Sequence, residues 1–425
     1  VVHFYYQNSK LWVEEVALQR ICEEVGTPVY VYSQRTLQEN YGMLEEAFEE
    51  IPHAICYALK ANANLQILRL LADLGAGADA ASVGELQLAI RAGIKPEKIV
   101  FGGVGKRDDE ITFALKKGVR TLNVESEQEL QVINQIATKL GKQAPVNLRV
   151  NPDIDSNTHP YIATGLKDNK FGIDSSQAVT VAKLAHSLPG IDLQGLHCHI
   201  GSQIVETSPF VKAIQSLLKL YSDLRKEKIN LKMINIGGGL GVDYHQVIEE
   251  PLPPQEIGNV TPPISAAEFA SSLLPLLKQF PCEIILEPGR FVTANAGALI
   301  TQVLYTKQTP NKKFVIVDTG MNDLLRPSLY YAYHRIVPLS KREPVNWQKV
   351  DVVGPICESG DFLAKDRWLP EVQRGDYLAV LSAGAYGYAM ASNYNGRLRA
   401  PEVLVNGNQF RIIRQRETIE QLLAK

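Results

Sequence analysis

From about residue 53 to residue 290 the hydrophobic pattern switches regularly between a period of two and one of about 3.6, and this alternation limits the fold more than any other property of the chain. The strand-like runs are 54–59, 76–81, 99–101, 121–124, 146–150, 193–200, 233–236 and 282–286. Between them lie segments with helical spacing, such as Leu130, Ile133, Ile136, Ala137 and Leu140, and Phe210, Ile214, Leu217, Leu218 and Tyr221. Ser126-x-x-Glu129 precedes the first of these as a capping box. Gly93, Gly118 and Gly141 fall where helix C-caps belong. Strands and helices alternating eightfold over about 260 residues predict a (β/α)8 TIM barrel, with an open doubly wound sheet as the alternative from pattern alone.

Beyond about Phe291 the texture changes. Val303-Leu304-Tyr305, Phe314 to Val317, Val350 to Val353 and Tyr377 to Leu381 are short strands separated by turn residues, with no amphipathic helices between them. That predicts a C-terminal all-β domain, sandwich- or barrel-like. Residues 1–25 are partly extended and can add a strand to it. The expected organisation is a barrel over 26–291 and a β domain over 1–25 and 292–425. The helix marked by Leu37, Tyr41, Leu44 and Phe48 closes the ring before the first barrel strand. The Pro-rich stretch from Glu249 to Pro263 reads as an irregular excursion between barrel strands seven and eight.

Composition excludes several classes. The 425 residues carry 44 Lys+Arg against 46 Asp+Glu, a formal charge of −2, with no basic block to hold a nucleic acid. No apolar run approaches the ~18 residues of a membrane span. The five cysteines are odd in number and scattered, with no C-x-x-C pair, so a reducing, cytoplasmic setting is expected and a disulfide framework is not. The first residues have no signal- or transit-peptide character, and Val1 in place of Met is consistent with a trimmed upstream segment.

In a barrel, reactive side chains project from the C-terminal ends of strands. Those positions hold Lys60; Asp79 and Ser82; Arg149 and Asn151; His197 and His199; Gly237-Gly238-Gly239; and Glu287-Pro288-Gly289-Arg290. Consecutive glycines after strand seven can close backbone N–H groups around a phosphate, and a lysine facing them is a candidate nucleophile toward an aldehyde. His197 and His199 share one face of a strand by period two, with Cys198 opposite. As a metal pair they would need further ligands at other strand ends, and Lys60 and the glycine loop would then be unexplained. No metal is expected.

Taken with Tyr57-Ala-Leu-Lys-Ala-Asn62, His199-Ile-Gly-Ser-Gln203, Arg326-Pro-Ser-Leu-Tyr330, Cys357-Glu-Ser-Gly-Asp361 and Gly384-Ala-Tyr-Gly387, these motifs resemble the fold-type III, pyridoxal-phosphate-dependent decarboxylases, and their diaminopimelate-decarboxylating branch in particular. The motifs occur in family order almost end to end. The segments from Asn151 to Ile173 and from Met321 to Tyr333 look closest to plant and cyanobacterial-type members, which would make a plastid stroma the alternative compartment. Val83, in Ala78 to Glu85, stands where glycine is common.

The resemblance implies pyridoxal 5′-phosphate as cofactor, held covalently by Lys60, with its phosphate at Gly239, Ser202 and the turn Glu287, Pro288, Gly289 and Arg290. It further implies His199 stacked on the ring, Glu287 at the ring nitrogen and Tyr386 near cofactor and substrate. Lys60, His199 and Cys357 would be catalytic, Cys357 as the thiol acid that protonates Cα. Arg290, Arg326, Tyr330, Glu358 and Tyr386 would read the distal end of meso-diaminopimelate, the product being L-lysine at the end of lysine biosynthesis. Cys357 and Glu358 would reach the partner's site in a homodimer. An ornithine- or arginine-type decarboxylase of the same fold and a non-catalytic cofactor-binding homologue are the alternatives.

Overall fold

In the computed structural model the described residues are 2–154, 169–253, 256 and 262–424. They divide into two compact units, one of Tyr41–Gly241 and Pro263–Arg290, the other of Val1–Asn40, Val242–Pro262 and Phe291–Lys425.

The first unit is a closed parallel barrel. Its strands are β1 (His53–Ala58), β2 (Gly77–Ala80), β3 (Ile99–Phe101), β4 (Thr121–Val124), β5 (Ala144–Asn151), β6 (Ile191–His197), β7 (Met233–Asn235) and β8 (Glu283–Leu286). Each pairs in parallel with the next, β8 pairs with β1 through Ile284↔His53, and no edge is left. The alternation predicted from the sequence is therefore a barrel, and the open sheet is excluded. Small residues permit the closure: a Cβ on Gly195 would stand 2.2 Å from the Met233 carbonyl oxygen, and one on Gly77 would stand 2.4 Å from that of Lys98.

The helices start and stop where the sequence marks them. Ser126 Oγ accepts from the Glu129 N–H at 3.2 Å. The Glu129 carboxylate does not return to Ser126 but takes the Glu125 N–H at 2.6 Å and the Lys106 ammonium at 2.6 Å. Gly93 and Gly118 end their helices at φ 100° and 73°, conformations that a Cβ would strain. Phe48, after the helix Gln34–Ala47, packs edge-on against Phe269 of the helix Ala266–Leu277 at 5.8 Å, as a ring-closing segment should.

The second unit is built on a twisted sheet ordered Phe362–Pro370, Trp347–Val353, Lys313–Val317, Gly297–Gln308, Val29–Ser33, Glu402–Asn406, Gln409–Arg414. Tyr377–Val380 pairs with Gly297–Gln308 and with Ile336–Pro338. Residues 26–40, expected in the barrel, belong here. Val29–Ser33 is a central strand, antiparallel to Gly297–Ile300 and parallel to Glu402–Val405, so its backbone groups are satisfied in this sheet. The N-terminus forms its own three-stranded sheet (Phe4–Gln7, Lys10–Val13, Val16–Ala17) rather than adding one strand. Its Phe4, Leu11 and Val13 share a core with Val29, Ala298, Ile300 and Val403. The excursion after β7 also sits in this unit. Val247 and Ile248 join that core, and the Arg335 guanidinium donates to the Glu250 and Pro251 carbonyls at 2.7 and 2.9 Å.

Candidate active site

The polar residues of the barrel converge at the strand ends. Lys60 lies just past β1 in a short 3-10 turn, its side chain about half exposed and its ammonium 3.7 Å from the buried Asp79 carboxylate on β2. Glu287 follows β8 and is buried. One of its oxygens accepts from Asn235 Nδ2 at 2.6 Å and Asn123 Nδ2 at 3.3 Å, and the other meets His197 Nε2 at 3.1 Å. Burial opposes a charge on Glu287. The adjoining His197, the Lys60 ammonium and the Asn235 amide outweigh it and hold the carboxyl well below the usual carboxylate range. Asp79 goes the other way: burial and the nearby Glu287 charge push it up to about 7, against the pull of Lys60. Two carboxyls close to one lysine are thus driven apart in acidity, an arrangement suited to acid–base chemistry.

The glycine loop is locked against the same groups. Gly237 and Gly239 have φ of 68° and 115°, and a Cβ on Gly238 would stand 2.2 Å from the Glu287 carbonyl oxygen. The Gly237 N–H donates to Asn235 Oδ1 at 2.9 Å, so one asparagine links the Glu287 carboxylate to the start of the loop. The Gly238 N–H donates to His199 Nδ1 at 3.3 Å, which fixes that nitrogen as an acceptor. Burial, then the positive charges of Lys60 and Arg149, keep the His199 imidazole neutral, well below its ordinary pKa. Cys198 turns the other way, beside Phe210 and Ile214, as period two requires. Ser202 Oγ accepts from Arg290 Nε and Nη2 at 3.2 and 2.9 Å. Lys60, His197, His199, Ser202, Gly239 and the turn from Glu287 to Arg290 all lie within the barrel unit.

The remaining predicted site residues lie in the strand unit. Arg326 opens the helix Arg326–Tyr330 and is buried, its Nη1 2.7 Å from His334 Nε2. His334 Nδ1 bonds to the Leu381 carbonyl at 2.9 Å, so that nitrogen carries the hydrogen and Nε2 accepts from the arginine. Tyr330 is half-buried, and Tyr386 is half-buried at φ 58°. Cys357 and Glu358 are exposed. Asn395 Oδ1 accepts from the Cys357 N–H at 2.9 Å and Tyr394 Oη donates to Glu358 Oε2 at 2.7 Å, so one turn holds both residues. Asp361 Oδ1 and Oδ2 take the Met321 and Ile356 N–H groups at 2.6 and 2.7 Å. Sequence reasoning missed Asn123, Asn235, His334 and the Tyr394–Asn395 turn. The two inward asparagines had a signal, since each interrupts an apolar strand; the others had none. Of the Asn151–Ile173 segment, residues 155–168 lie outside the described residues.

A family model described as the pyridoxal binding domain of pyridoxal-dependent decarboxylases matches residues 34–294, so a lysine, a buried carboxylate and a glycine loop at one barrel mouth here belong to that class of enzyme. Diaminopimelate decarboxylases of Aquifex aeolicus and Vibrio cholerae are each 48% identical, over 98% and 99% of this chain and 96% and 97% of their own. The structure of the Helicobacter pylori diaminopimelate decarboxylase complexed with L-lysine superposes with a TM-score of 0.89 at 43% identity, covering 96% of this chain and 98% of that one. That of M. jannaschii, also with L-lysine, gives 0.91 at 37%, covering 99% and 96%. The chain belongs to the diaminopimelate decarboxylase family.

The barrel residues fit pyridoxal 5′-phosphate. Glu287 is an anion with donors on both oxygens, complementary to a protonated ring nitrogen. His199 is a neutral ring held by a backbone N–H, and Gly238 and Gly239 leave no room for a Cβ beside the Glu287 and Gly201 carbonyl oxygens, so the loop keeps its backbone close to the site. Among the described residues no helix is long and apolar enough to cross a membrane.

Proposed function

We propose that this protein uses pyridoxal 5′-phosphate to decarboxylate meso-2,6-diaminopimelate at one end, releasing CO2 and L-lysine. The observation that carries the reading is Glu287, a buried carboxylate kept ionised within the influence of Lys60. A carboxylate at the ring nitrogen favours a protonated pyridine, and when bound that ring supplies the electron sink for the pair left at Cα as CO2 departs. A cation in that place would weaken the sink.

This chain's residues do the rest. Lys60, half exposed and with Asp79 next to its ammonium, would hold the cofactor through its aldehyde and would yield that place to the substrate's amine. Gly239, Ser202 and the turn of Glu287, Pro288, Gly289 and Arg290 would hold the phosphate, and the neutral His199 ring would flank the cofactor and exclude water there. Arg290 and Arg326 are assigned to the substrate's distal carboxylate, with Tyr330 and Tyr386 adding hydroxyls and Glu358 pairing the distal ammonium. Cys357 delivers a proton to Cα, working with His199 and Lys60. Cys357 and Glu358 are exposed on the single chain, which supports their serving a partner copy in a homodimer.

Two measurements test this. A substrate panel should show strong preference for meso-diaminopimelate over ornithine and lysine; equal turnover overturns the substrate while leaving the cofactor assignment intact. Mixing inactive Lys60→Ala and Cys357→Ala proteins should restore part of the activity, because each hybrid dimer holds one site with both residues. No recovery despite subunit exchange overturns shared sites.

A further inference from the structure

His197 is given no task by the family's motifs, yet it is 3% exposed and touches the most consequential carboxylate in the barrel. It is the last residue of β6, so its ring turns inward. The two oxygens of Glu287 are served differently: Oε1 takes the amides of Asn235 and Asn123, while Oε2 meets the imidazole at 3.1 Å. A carboxylate accepts only, so His197 Nε2 carries a hydrogen toward it and Nδ1 is the second ring nitrogen. That Nδ1 is buried and has no hydrogen-bond partner among the described residues. An unpartnered buried nitrogen is a liability for packing, and an apolar ring of similar size would fill the space without it. The position is therefore explained by what Nε2 does for Glu287.

We infer that His197 is a positioning residue: it orients the Glu287 carboxylate toward the cofactor's ring nitrogen and strengthens its hold on a ring proton. The inference rests on the reading of Glu287 proposed above. Without the imidazole, Oε2 loses its donor and only the two amides on Oε1 restrain the carboxylate. Asp79 and Glu287 are electrostatically linked, each raising the cost of charge on the other, with Lys60 attracting both. Of these two carboxyls His197 meets Glu287, so it tips the pair toward an ionised Glu287 and a protonated Asp79. Asn235 carries the effect onward, since its amide holds Glu287 and its carbonyl holds the Gly237 N–H.

The test compares affinities of the cofactor-free protein for pyridoxal 5′-phosphate and for the analogue in which CH replaces the ring nitrogen. Both retain the aldehyde and phosphate, so their ratio isolates the ring nitrogen. The unmodified protein should prefer the natural cofactor. In His197→Leu that preference should narrow about tenfold, and kcat for the decarboxylation should fall about 10- to 100-fold with KM within about threefold, the size of effect typical of a residue acting through a ligand's partner. His197→Gln, which keeps an N–H donor, should stay within about threefold of the unmodified protein on both measures. Should His197→Leu not yield soluble protein, His197→Ala removes the donor with a smaller side chain and should narrow the ratio in the same way. An unchanged ratio in either variant, with the preference of the unmodified protein intact, overturns the inference and leaves the cofactor reading standing. An unmodified protein that binds both compounds equally overturns the role of Glu287 and this inference with it.

Discussion

Arg149 in the barrel and Arg326 in the strand unit are both buried, and each has its guanidinium over an aromatic ring, but they are held by partners of different charge. Arg149 Nη1 meets the Glu125 carboxylate at 2.5 Å, with its guanidinium 4.6 Å above Phe171. The other Glu125 oxygen takes the Gly172 N–H at 2.8 Å. The pair ties the end of β5 to the chain near Gly172. Arg326 leans on the His334 imidazole at 2.7 Å and lies 4.8 Å over Tyr244. The imidazole acceptor helps to fix the direction of the guanidinium. Arg290 donates twice to the Ser202 hydroxyl. The lesson is one of pairing: a buried arginine met by a carboxylate is stranded when that partner is removed, whereas an imidazole acceptor orients the guanidinium without being its counter-ion.

The largest effect should come from the barrel's lysine. Lys60→Ala should abolish turnover and the visible absorbance of bound cofactor while the protein melts normally, because the side chain is about half exposed and outside the core. Cofactor that remains covalently attached to the variant would place the nucleophile elsewhere.

Next comes the structural arginine. Glu125→Ala strands a buried guanidinium and should lower unfolding stability by about 3–5 kcal/mol, read from denaturant midpoints. A loss confined to catalysis, with unchanged stability, would break the comparison.

Arg326→Met should do the opposite. It should lower the specificity constant for diaminopimelate by about 30- to several-thousand-fold, roughly 2–5 kcal/mol, and narrow the preference over lysine and ornithine. A variant that loses activity toward every substrate equally would show that Arg326 is structural after all.

The smallest effect is a pH dependence. Asp79 has its folded pKa pushed up to about 7 by burial, then by Glu287, so between the ordinary carboxylate range and about 7 the folded state binds the extra proton. Stability of the cofactor-free protein should therefore fall as pH rises through that window, by about 2–4 kcal/mol, and level off above it. Asp79→Asn should flatten the slope in denaturation experiments across that range. An unchanged slope would mean that Asp79 is ionised throughout.

Most of the barrel was legible because its strands are buried on both faces and its helices on one, so each element carries its own period. The strand unit was less so. Phe362–Pro370 was missed because Lys365, Asp366 and Arg367 interrupt it. Asp366 has φ 51°, and the pairing register shifts along this strand. The hairpin Glu402–Arg414 was missed as well, its second strand being largely exposed and its alternation weak.

The class of fold and the strand-end positions of Lys60, the glycine loop and the carboxylate turn can be read from the chain alone, because local periodicity and contiguous motifs encode them. Which partners those groups receive depends on how the chain closes on itself. Val29–Ser33 is a uniformly buried run that names no neighbour, and it became the centre of a sheet whose other strands lie some 270 or more positions onward. His197 found Glu287 90 residues away, Arg326 found an imidazole eight residues on, and that imidazole was fixed by a carbonyl 47 residues further along. Hydrogen bonding and charge compensation act over a few ångströms of space, whatever the separation along the chain, and so they are set only once the fold has closed.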